Sequence, residues 1–490
     1  MINLLFIVFI LLGSFNLVNL INVLVEQYYS LNRLYKYKLS TIYSLKEYYF
    51  GLTIYFISGI LLFYFKIYTL MIVLFLLINY FFVIKSNLKN YHFTRRNTLL
   101  LLFSGVINGI LSFIVYYQIS IFMVAFALLI NNVSLVVAYL LLLPIEKIIQ
   151  NYYIYKAKKK VKKNNYIVIG VTGSFGKTTT KNFIYQILSN KYLISRQDHN
   201  YNTLMGICKY INNEVKDEDD ILLVELGVDS LNQMKRFKKI LLLDYAIISS
   251  IGEMHLSTFK NINNIIKEKL SIRDLLKKDG KIFIEEDIEN KYYQYLNFSY
   301  SKYSEKELNY QGDFFYQLLY KDKKIETKLI SRYQIKCLSI ALKLGKEFNL
   351  SDNEILYSIS KLELPLRRCS IYYHKKMIII DNSYNGNINA IDELINRFKS
   401  IKEKKIVITG GLIELGDKYY STNFELGKKL SIFDHIIFVT IEENHPLIDG
   451  VIKDKLLKVN TYQDAYNLLN EIDEKCYILL LSKGSDNYLK

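Results

Sequence analysis

The 490-residue chain has little proline and cysteine and no tryptophan: it contains three prolines and four cysteines. The cysteines form no C-x-x-C pair and no zinc-like spacing, which argues against a structural zinc site. We therefore expect four reduced, buried thiols, as in a protein exposed to a reducing compartment. The N-terminus, MINLLFIVFILLG, lacks the basic region and the small-residue cleavage site of a secretory signal, so no cleaved signal is predicted.

Acidic residues are outnumbered by basic ones, 46 to 63, which gives a formal net charge of +17. Clustered basic residues neutralise nucleic-acid phosphates, but here lysine is spread along the whole chain together with Ile, Asn and Tyr. The one dense run, KAKKKVKK at 156–163, directly follows an apolar stretch. Basic residues directly after a membrane span usually lie on the cytoplasmic side, where they contact anionic lipid. We predict contact with inner-membrane lipid and no nucleic-acid partner.

Long apolar runs fill residues 1–145, and about 20 apolar residues are needed to cross the hydrocarbon core of a bilayer. We predict an α-helical transmembrane bundle with five spans, at 2–25, 50–65, 67–84, 98–117 and 119–143. The basic loops 26–49 and 85–97 then share a side with the basic linker 146–164. The positive-inside rule places that side in the cytoplasm. The alternative, a buried soluble helical domain, is disfavoured because apolar runs of this length leave little polar surface.

From residue 166 onward, apolar strand-like runs alternate with amphipathic helical stretches. Runs such as YIVIGV, ILLVELGV, MIIIDNS and KIVITGG are separated by helix-like segments at 178–189, 261–277 and 388–401. Apolar strands separated by helices predict parallel α/β sheets. A break near residue 363, in KLELPLRR, predicts two α/β domains, at 165–363 and 364–490.

The stretch GVTGSFGKTTTK carries the clearest chemical signal in the chain. An apolar strand precedes Gly173 and Gly176, and Lys177 and Thr178 open a helix. Glycines let backbone N–H groups approach phosphate oxygens, and a helix N-terminus adds its dipole. We predict that Lys177 bridges the β- and γ-phosphates of a nucleotide and that Thr178 ligates Mg²⁺. The spacing departs from G-x-x-x-x-G-K-[ST], since Val171 occupies the first glycine position.

A metal-bound nucleotide also needs a carboxylate near the phosphate loop. Glu225 ends the apolar run ILLVE, which places it at the sheet edge where α/β ligands bind. Asp244 is the rival, but it leads into YAIISSI and so begins that strand at the opposite edge. We therefore prefer Glu225. His255 follows the same run and Lys269 lies on the next predicted helix; spacing alone assigns neither a function.

Seven motifs follow one another in the order found in the Mur ligases, and residues 165–490 resemble that family. They are TGSFGKTTTK, NYNTLMGI (200–207), VELG (224–227), IGEMHLSTF…KEK (251–269), DNSYNGN (381–387), GGLIELG (410–416) and KGS (483–485). The pieces DNSYNGN and IELG are most similar to the MurF branch, which adds D-alanyl-D-alanine to UDP-N-acetylmuramoyl-tripeptide in peptidoglycan synthesis. The resemblance implies a P-loop central domain, a C-terminal Rossmann-like domain and an ATP-dependent amide ligase.

The resemblance also implies functions for single residues, with ATP and Mg²⁺ as cofactors. The nucleotide would be held by Gly173, Ser174, Gly176, Lys177, Thr178, Thr179 and Asp381. The metal ligands would be Thr178, Glu225, His255 and a carbamylated Lys269, and the catalytic residues Lys177, His255 and Lys269. The substrates would be contacted by Asn202, Thr203, Tyr384, Asn385 and Asn387.

Several positions depart from the family pattern. Phe175 replaces an Asn of the phosphate loop, Asn382 replaces an acidic residue and Asn423 a frequent His. The segment SRYQIKCLSIAL lacks the family's adenine-side H-N-x-x-N. Membrane spans take the place of the UDP-binding domain, so the acid is either UDP-muramoyl-tripeptide or another acid, lipid-linked or of the polyglutamate type.

A function of another class is a P-loop membrane transporter or regulator, in which ATP drives a conformational change. In a protein of that class, the His255 and Lys269 pair and the DNSYN turn would have no function. A non-catalytic relative would be expected to have lost Lys177, Thr178 or Glu225, and all three are present. We predict a multi-pass inner-membrane protein with cytoplasmic catalytic domains and possible association with other cell-wall synthesis enzymes.

Overall fold

The computed structural model describes residues 94–119, 123–197, 201–384, 388–412, 419–440, 445–470 and 472–481. The chain divides into two compact units, Met1–Asn151 and Tyr152–Lys490. Several predictions lie outside the described residues: the spans 2–25, 50–65 and 67–84, the site residues Asn385 and Asn387, the KGS motif and part of GGLIELG.

Two helices cover the remaining predicted spans. Helix α1 (Arg95–Ile119) contains the predicted span 98–117, and helix α2 (Met123–Asn164) covers all but the first residues of 119–143. Helix α2 does not end with the apolar stretch but continues through the predicted basic linker, which is therefore helical.

Within the described part of the chain, one segment is long and apolar enough to cross a bilayer, Val133–Asn164 of α2. The five-span bundle stays a prediction, since three of its spans fall in residues 1–93.

The first sheet of the larger unit has five strands in the order β2-β1-β3-β4-β5, all parallel. The strands are β1 (Ile167–Thr172), β2 (Ile221–Glu225), β3 (Leu243–Ile248), β4 (Leu276–Glu285) and β5 (Ser301–Tyr303). The accompanying helices are α3 (Lys177–Leu188), α4 (Leu204–Asn213), α5 (Leu256–Phe259), α6 (Ile262–Leu270), α7 (Glu286–Tyr292), α8 (Arg332–Glu347) and α9 (Asp352–Ser360). Short 3₁₀ turns lie at Met234–Lys239, Ser271–Leu275, Tyr293–Tyr295 and Glu305–Glu307.

Both faces of this sheet are covered, which agrees with the continuous apolar strands in the sequence. Successive side chains point to opposite faces, so Val168 packs into one core while Ile169 and Val171 pack into the other. Parallel pairing sets Val171 beside Glu225 and beside Ile247. The carboxyl ends of β1, β2 and β3 therefore meet at one edge of the sheet.

The helix predicted at 261–277 is shorter than the sequence pattern indicates. Helix α6 ends at Leu270, a 3₁₀ turn follows, and β4 begins at Leu276, which pairs with Leu243. Ile272 and Leu275 are both buried three residues apart, a spacing that fits a 3₁₀ turn as well as an α-helix. Periodicity alone therefore could not place this boundary.

The second large sheet has six strands in the order β13-β12-β11-β14-β10-β9, parallel except for the edge strand β9. A small antiparallel sheet precedes it, formed by β6 (Asn309–Gln311), β7 (Gln317–Tyr320) and β8 (Lys323–Glu326). The six strands are β9 (Ser370–His374), β10 (Met377–Asp381), β11 (Lys404–Thr409), β12 (His435–Val439), β13 (Leu456–Val459) and β14 (Cys476–Leu480). The helices that accompany the six-stranded sheet are α10 (Ile388–Phe398), α11 (Tyr419–Leu430), α12 (Pro446–Gly450) and α13 (Tyr462–Asn470), with a 3₁₀ turn at Lys453–Lys455.

The predicted α/β class is therefore confirmed for the larger unit, whereas the domain boundary near residue 363 stays a prediction. All four cysteines are free and buried, as their spacing indicated.

Candidate functional site

The loop between β1 and α3 needs glycine at two positions. Gly173 and Gly176 have φ angles of 150° and 89°, which side-chain-bearing residues rarely adopt. A Cβ atom on Gly173 would lie 2.2 Å from Ser249 Oγ, and one on Gly176 would lie 2.9 Å from the Tyr333 hydroxyl. Backbone conformation and close packing together leave no space for a larger residue.

Residues after β3 hold this loop in place. The backbone N–H of Ser174 donates to Ser250 O at 2.9 Å, and that of Phe175 donates to Ser250 Oγ at 2.7 Å. The Ser174 hydroxyl donates to Gly252 O at 2.9 Å. Each bond joins segments more than 70 positions apart, so the loop is preorganised by the sheet edge. Sequence reasoning predicted Ser174 but overlooked Ser249 and Ser250, although SSIG directly follows an apolar strand.

Lys177 folds back over the loop that precedes it. Its ammonium donates to Gly173 O at 2.8 Å and to Ser174 O at 3.1 Å. Burial lowers the pKa of Lys177; the Glu225 carboxylate opposes this effect and the Arg368 guanidinium adds to it. The lysine is thus held at the loop, the place where its charge would meet phosphate oxygens.

Glu225 is bonded to both neighbouring segments. The Thr178 hydroxyl donates to its Oε2 at 2.8 Å, and the Asn202 amide donates to its Oε1 at 3.3 Å. Glu225 is 3% exposed, and burial alone would raise its pKa, but nearby cations outweigh burial and the pKa lies below its ordinary value. These cations are Lys177, Lys181 and Arg368. Glu225 is therefore a carboxylate at neutral pH.

The Thr178 and Glu225 pair has the chemistry of a site for a hard divalent cation. Hydroxyl and carboxylate oxygens are the donors that Mg²⁺ takes, usually together with phosphate oxygens and water. No group of three or more His, Cys, Asp or Glu side chains suited to a metal occurs among the described residues. The pair fits an ion that shares its shell with phosphate oxygens and water.

Lys269, on α6, is 3% exposed, and its ammonium donates to Val228 O at 3.1 Å just after β2. Burial places its pKa well below the ordinary value, and the charge of Lys177 lowers it further, against the opposing effect of nearby carboxylates. The carboxylate of the neighbouring Glu268 accepts hydrogen bonds from the backbone N–H groups of Asn232 and Met234. A lowered pKa increases the share of the neutral amine, which is the form that carbamylation requires.

The other predicted residues beside the first sheet have different settings. His255 is a left-handed residue (φ 54°) directly before α5, with a partly exposed side chain. The Thr203 hydroxyl caps α4 by accepting from Gly206 N at 3.2 Å. Asn202 reaches Glu225 with its side chain and accepts from Gly227 N with its carbonyl at 2.8 Å. The metal function of His255 and the substrate contact of Thr203 stay predictions.

Asp381 ends β10 at the carboxyl edge of the second sheet and is fully buried. Its Oδ1 accepts from Ser383 N at 2.9 Å, while its Oδ2 has no hydrogen-bond partner among the described residues. Burial raises the pKa of Asp381, against the lowering by Ser383 and Arg367. A buried oxygen of this kind can accept from a ligand hydroxyl.

Two basic residues of the site were missed by sequence reasoning. The Arg368 guanidinium stacks over the Tyr384 ring, with its Cζ 4.2 Å from the ring centroid. Its positive charge lowers the pKa values of Lys177 and Glu225. Lys181 is 7% exposed and donates to the Gln197 side chain at 2.8 Å. The available signals were LPLRR at the predicted domain break and a second lysine one helical turn after the first.

The comparisons agree with this geometry. Residues 171–352 match the family model of the Mur ligase middle domain. The UDP-N-acetylmuramoyl-tripeptide–D-alanyl-D-alanine ligase of Borreliella burgdorferi is 29% identical over 287 residues, 54% of this chain and 60% of that protein. The Bacillus subtilis enzyme of the same name is 25% identical over 275 residues, with the same two shares. The chain thus spans less than two thirds of the length of these curated relatives.

A solved structure has the same fold. The crystal structure of a MurF ligase from Thermotoga maritima in complex with ADP matches with a TM-score of 0.59 at 21% identity. The match covers 68% of this chain and 80% of that chain.

Proposed function

Because residues 171–352 carry a Mur ligase middle domain, we propose that this protein is an ATP-dependent amide ligase of peptidoglycan synthesis. Its reaction would add D-alanyl-D-alanine to a UDP-N-acetylmuramoyl-tripeptide, the reaction for which the Borreliella burgdorferi and Bacillus subtilis relatives are named. One observation carries the proposal: a preformed phosphate loop is joined through Thr178 to the buried carboxylate of Glu225 at 2.8 Å.

The proposed chemistry activates a carboxylate, which is otherwise a poor acylating agent. A carboxylate oxygen attacks the γ-phosphorus of ATP, the bond to the β–γ bridging oxygen breaks, and ADP leaves. The amine nitrogen then attacks the carbonyl carbon of the acyl phosphate. The C–O bond to phosphate breaks, the nitrogen loses a proton, and phosphate departs with one oxygen of the original carboxylate. Positioning and charge neutralisation account for catalysis of this type.

The nucleotide end of the site is assigned to the phosphate loop. Its backbone, from Gly173 to Gly176, and the hydroxyls of Thr178 and Thr179 would face the phosphates, and Lys177 would neutralise the transferred group. Asp381 would accept from the ribose through its unpartnered Oδ2.

Mg²⁺ would be held by Thr178 and Glu225, with His255 and a carbamylated Lys269 as further ligands. The ion would supply positive charge to the phosphate oxygens.

The two organic substrates are assigned to opposite sides of the phosphates. The acid would lie along Asn202 and Thr203, since Asn202 already contacts Glu225. The amine would enter beside Tyr384, Asn385 and Asn387, after the strand that ends at Asp381. Arg368, which stacks on Tyr384, would bring a further positive charge to the transferred phosphate.

The test is a ligation assay on the full chain in detergent, with ATP, Mg²⁺, UDP-muramoyl-tripeptide and D-Ala-D-Ala, and mass spectrometry of the products. We expect ADP release that needs both substrates and a product longer by one dipeptide. ATP hydrolysis that neither substrate changes would overturn the proposal in favour of the transporter or regulator class. Turnover only with a lipid-linked or polyglutamate-type acid would support the ligase reaction and show that the acid substrate is a different one.

We also propose that the N-terminal unit lies in the inner membrane and leaves the catalytic part in the cytoplasm. Polar Asn97, Ser104, Asn108 and Ser134 are buried in this unit. Several large apolar side chains are instead more than half exposed, among them Leu102, Val106, Ile110 and Leu140. Polar residues between helices and apolar residues outside them are typical of helices surrounded by lipid.

The segment that follows supports the same location. Tyr152 and Tyr155 are exposed, and so are Lys156, Lys158, Lys159, Lys162 and Lys163 on the same helix. Tyrosines at an interface followed by lysines in the cytoplasm match the aromatic belt and the positive-inside rule.

A further inference from the structure

The 3₁₀ turn at Met234–Lys239, here called the basic turn, carries four cations with no counter-charge. The exposed cations are Lys235, Arg236, Lys238 and Lys239. None of them forms an ion pair with another described residue. Two exposed leucines flank the turn in sequence, Leu231 at 44% and Leu242 at 40% exposure. The surface is therefore positively charged and has apolar side chains at both ends.

Buried contacts hold the backbone of the basic turn in place. Met234 and Phe237 point inward and are buried. The buried carboxylate of Glu268, on α6, accepts from Asn232 N at 2.7 Å and from Met234 N at 2.6 Å. The cations thus extend from a backbone that is anchored to the core.

The basic residues next to the turn are paired, unlike those within it. The 3₁₀ turn at Ser271–Leu275 packs against the basic turn. There Arg273 Nε lies 3.7 Å from Asp274 Oδ1, and Lys277 Nζ lies 2.7 Å from Asp244 Oδ2. These pairs add no net charge, so the local positive excess comes from the basic turn.

The basic turn and the end of α2 cover the same face of the first sheet. Ala157 of α2 and Phe237 of the turn belong to one buried core, into which Val168 and Leu222 of the sheet also point. Asn212 Nδ2 attaches α2 to this layer by donating to the carbonyl of residue 153 at 3.1 Å. The exposed lysines of α2 and those of the basic turn therefore lie on one side of this sheet.

This combination of charge and apolar side chains fits a lipid surface. Anionic headgroups attract lysine and arginine, and the apolar layer beneath them accepts leucine. Proteins that bind single-stranded nucleic acid add exposed aromatic rings on which bases stack. Phe237, the one aromatic residue within the basic turn, is buried.

We propose that the basic turn binds the headgroups of anionic lipid, with Leu231 and Leu242 entering the interface beside them. The catalytic part would then have a contact with the bilayer in addition to α2, and would lie against the lipid surface. This inference rests on the proposed membrane location of the N-terminal unit and is independent of the ligation reaction.

The experiment measures contact between the turn and lipid in the full chain. The protein is reconstituted in nanodiscs of phosphatidylcholine, with or without phosphatidylglycerol, that contain a spin-labelled lipid as quencher. A bimane fluorophore is attached to Leu231→Cys or to Leu242→Cys; the four native cysteines are buried and stay unlabelled. The matched control label is on Leu319→Cys, which is 42% exposed on β7, a strand that packs on the opposite core.

We expect the label at one or both flanking leucines to be quenched in discs with phosphatidylglycerol, and the label at Leu319→Cys not to be. Salt near 1 M should abolish the quenching, because the Debye length is then about 3 Å. Replacement of the four cations of the basic turn by Gln should weaken attachment by up to about a thousandfold and abolish it as well. The matched control removes the same charge on the opposite side of the sheet and should keep the quenching; it replaces Lys323, Lys324, Lys328 and Lys361 by Gln.

Absence of quenching at both leucines in the anionic discs would overturn the inference, and so would equal quenching in neutral discs. Persistent quenching in the Gln variant, shown to be folded by circular dichroism, would also overturn it. Failure of the full chain to enter the discs would overturn the membrane location together with this inference. The ligation assay would still decide the proposed reaction.

Discussion

The Thr178 hydroxyl donates to Glu225 at 2.8 Å although 47 positions separate the two residues. Adjacent parallel strands end beside each other, so the start of α3 meets the last residue of β2. The bond shows that one site is assembled from two motifs that the sequence presents far apart.

We expect Thr178→Val and Glu225→Gln to lower kcat by about a hundredfold or more, a loss typical of removing one polar contact to a developing charge. Steady-state ligation or phosphate release measures this. Thr178→Ser keeps the hydroxyl and should stay within about tenfold of wild type. Activity of Thr178→Val close to that of wild type would show that the hydroxyl has no part in the reaction.

Gly176→Ala tests the shape of the phosphate loop. The added Cβ meets the Tyr333 hydroxyl in a backbone conformation with φ of 89°, so we expect a loss of about 1–2 kcal/mol in unfolding free energy. Nucleotide affinity should fall with it. Gly176→Ala combined with Tyr333→Phe removes the nearest atom but keeps the backbone strain, and should recover only part of the loss. Thermal melting and ADP titration measure both effects, and an unperturbed Gly176→Ala protein would contradict the packing described.

Lys269 links function to pH-dependent stability. Its pKa is lowered in the folded state, so between that pKa and the unfolded value near 10.5 the unfolded chain binds more protons, and stability rises with pH. Lys269→Met removes this penalty. We expect the variant to be more stable than wild type by about 1–2 kcal/mol near neutral pH, with the difference shrinking as pH approaches about 10.

The same substitution should abolish ligation, because methionine cannot be carbamylated and the proposed metal ligand is lost. Far-UV circular dichroism suits the melts because the chain has no tryptophan, and bicarbonate-free buffer keeps the lysine unmodified. A Lys269→Met protein that ligates normally would remove Lys269 from the mechanism. A stability difference that does not change with pH would contradict the stated cause.

The basic face after Tyr155 should control binding to anionic membranes. We expect replacement of Lys156, Lys158, Lys159 and Lys162 by Gln to weaken association of the helix peptide 133–164 with phosphatidylserine-containing vesicles by up to about a thousandfold, at near 1 kcal/mol per lysine. Binding to neutral vesicles should change little, because apolar burial carries it. Vesicle co-sedimentation at two salt concentrations measures both, and equal loss on both vesicle types would contradict an electrostatic contribution.

Sequence reasoning found the phosphate loop and Glu225 because each stands at the end of an apolar strand, whereas Lys269 was singled out only by the family resemblance. It placed Glu225 at the end of a strand and Asp244 at the start of another, and both are confirmed. It could not find Arg368, Tyr333, Ser249 or Ser250, which lie more than 70 positions from the phosphate-loop residues that they influence. These depend on tertiary packing, which local patterns do not encode.

The ion pairs at the end of β4 illustrate the same limit. The segment SRYQIKCLSIAL showed only that the family's adenine pattern was missing. The structure supplies what stands there: Lys336 is held between Glu285 and Asp287. Parallel strand order, which no local pattern reports, brings a residue of β4 to a helix some 50 positions later.

The most direct test of the central claim follows an oxygen atom. The acid substrate is labelled with ¹⁸O in its reacting carboxylate, and the full chain turns it over with ATP, Mg²⁺ and D-Ala-D-Ala. Activation through an acyl phosphate transfers one ¹⁸O from the carboxylate to the released phosphate, and mass spectrometry should find it in step with amide product. Unlabelled phosphate, released at the same rate with or without the amine, would show that the site only hydrolyses ATP and would contradict the account.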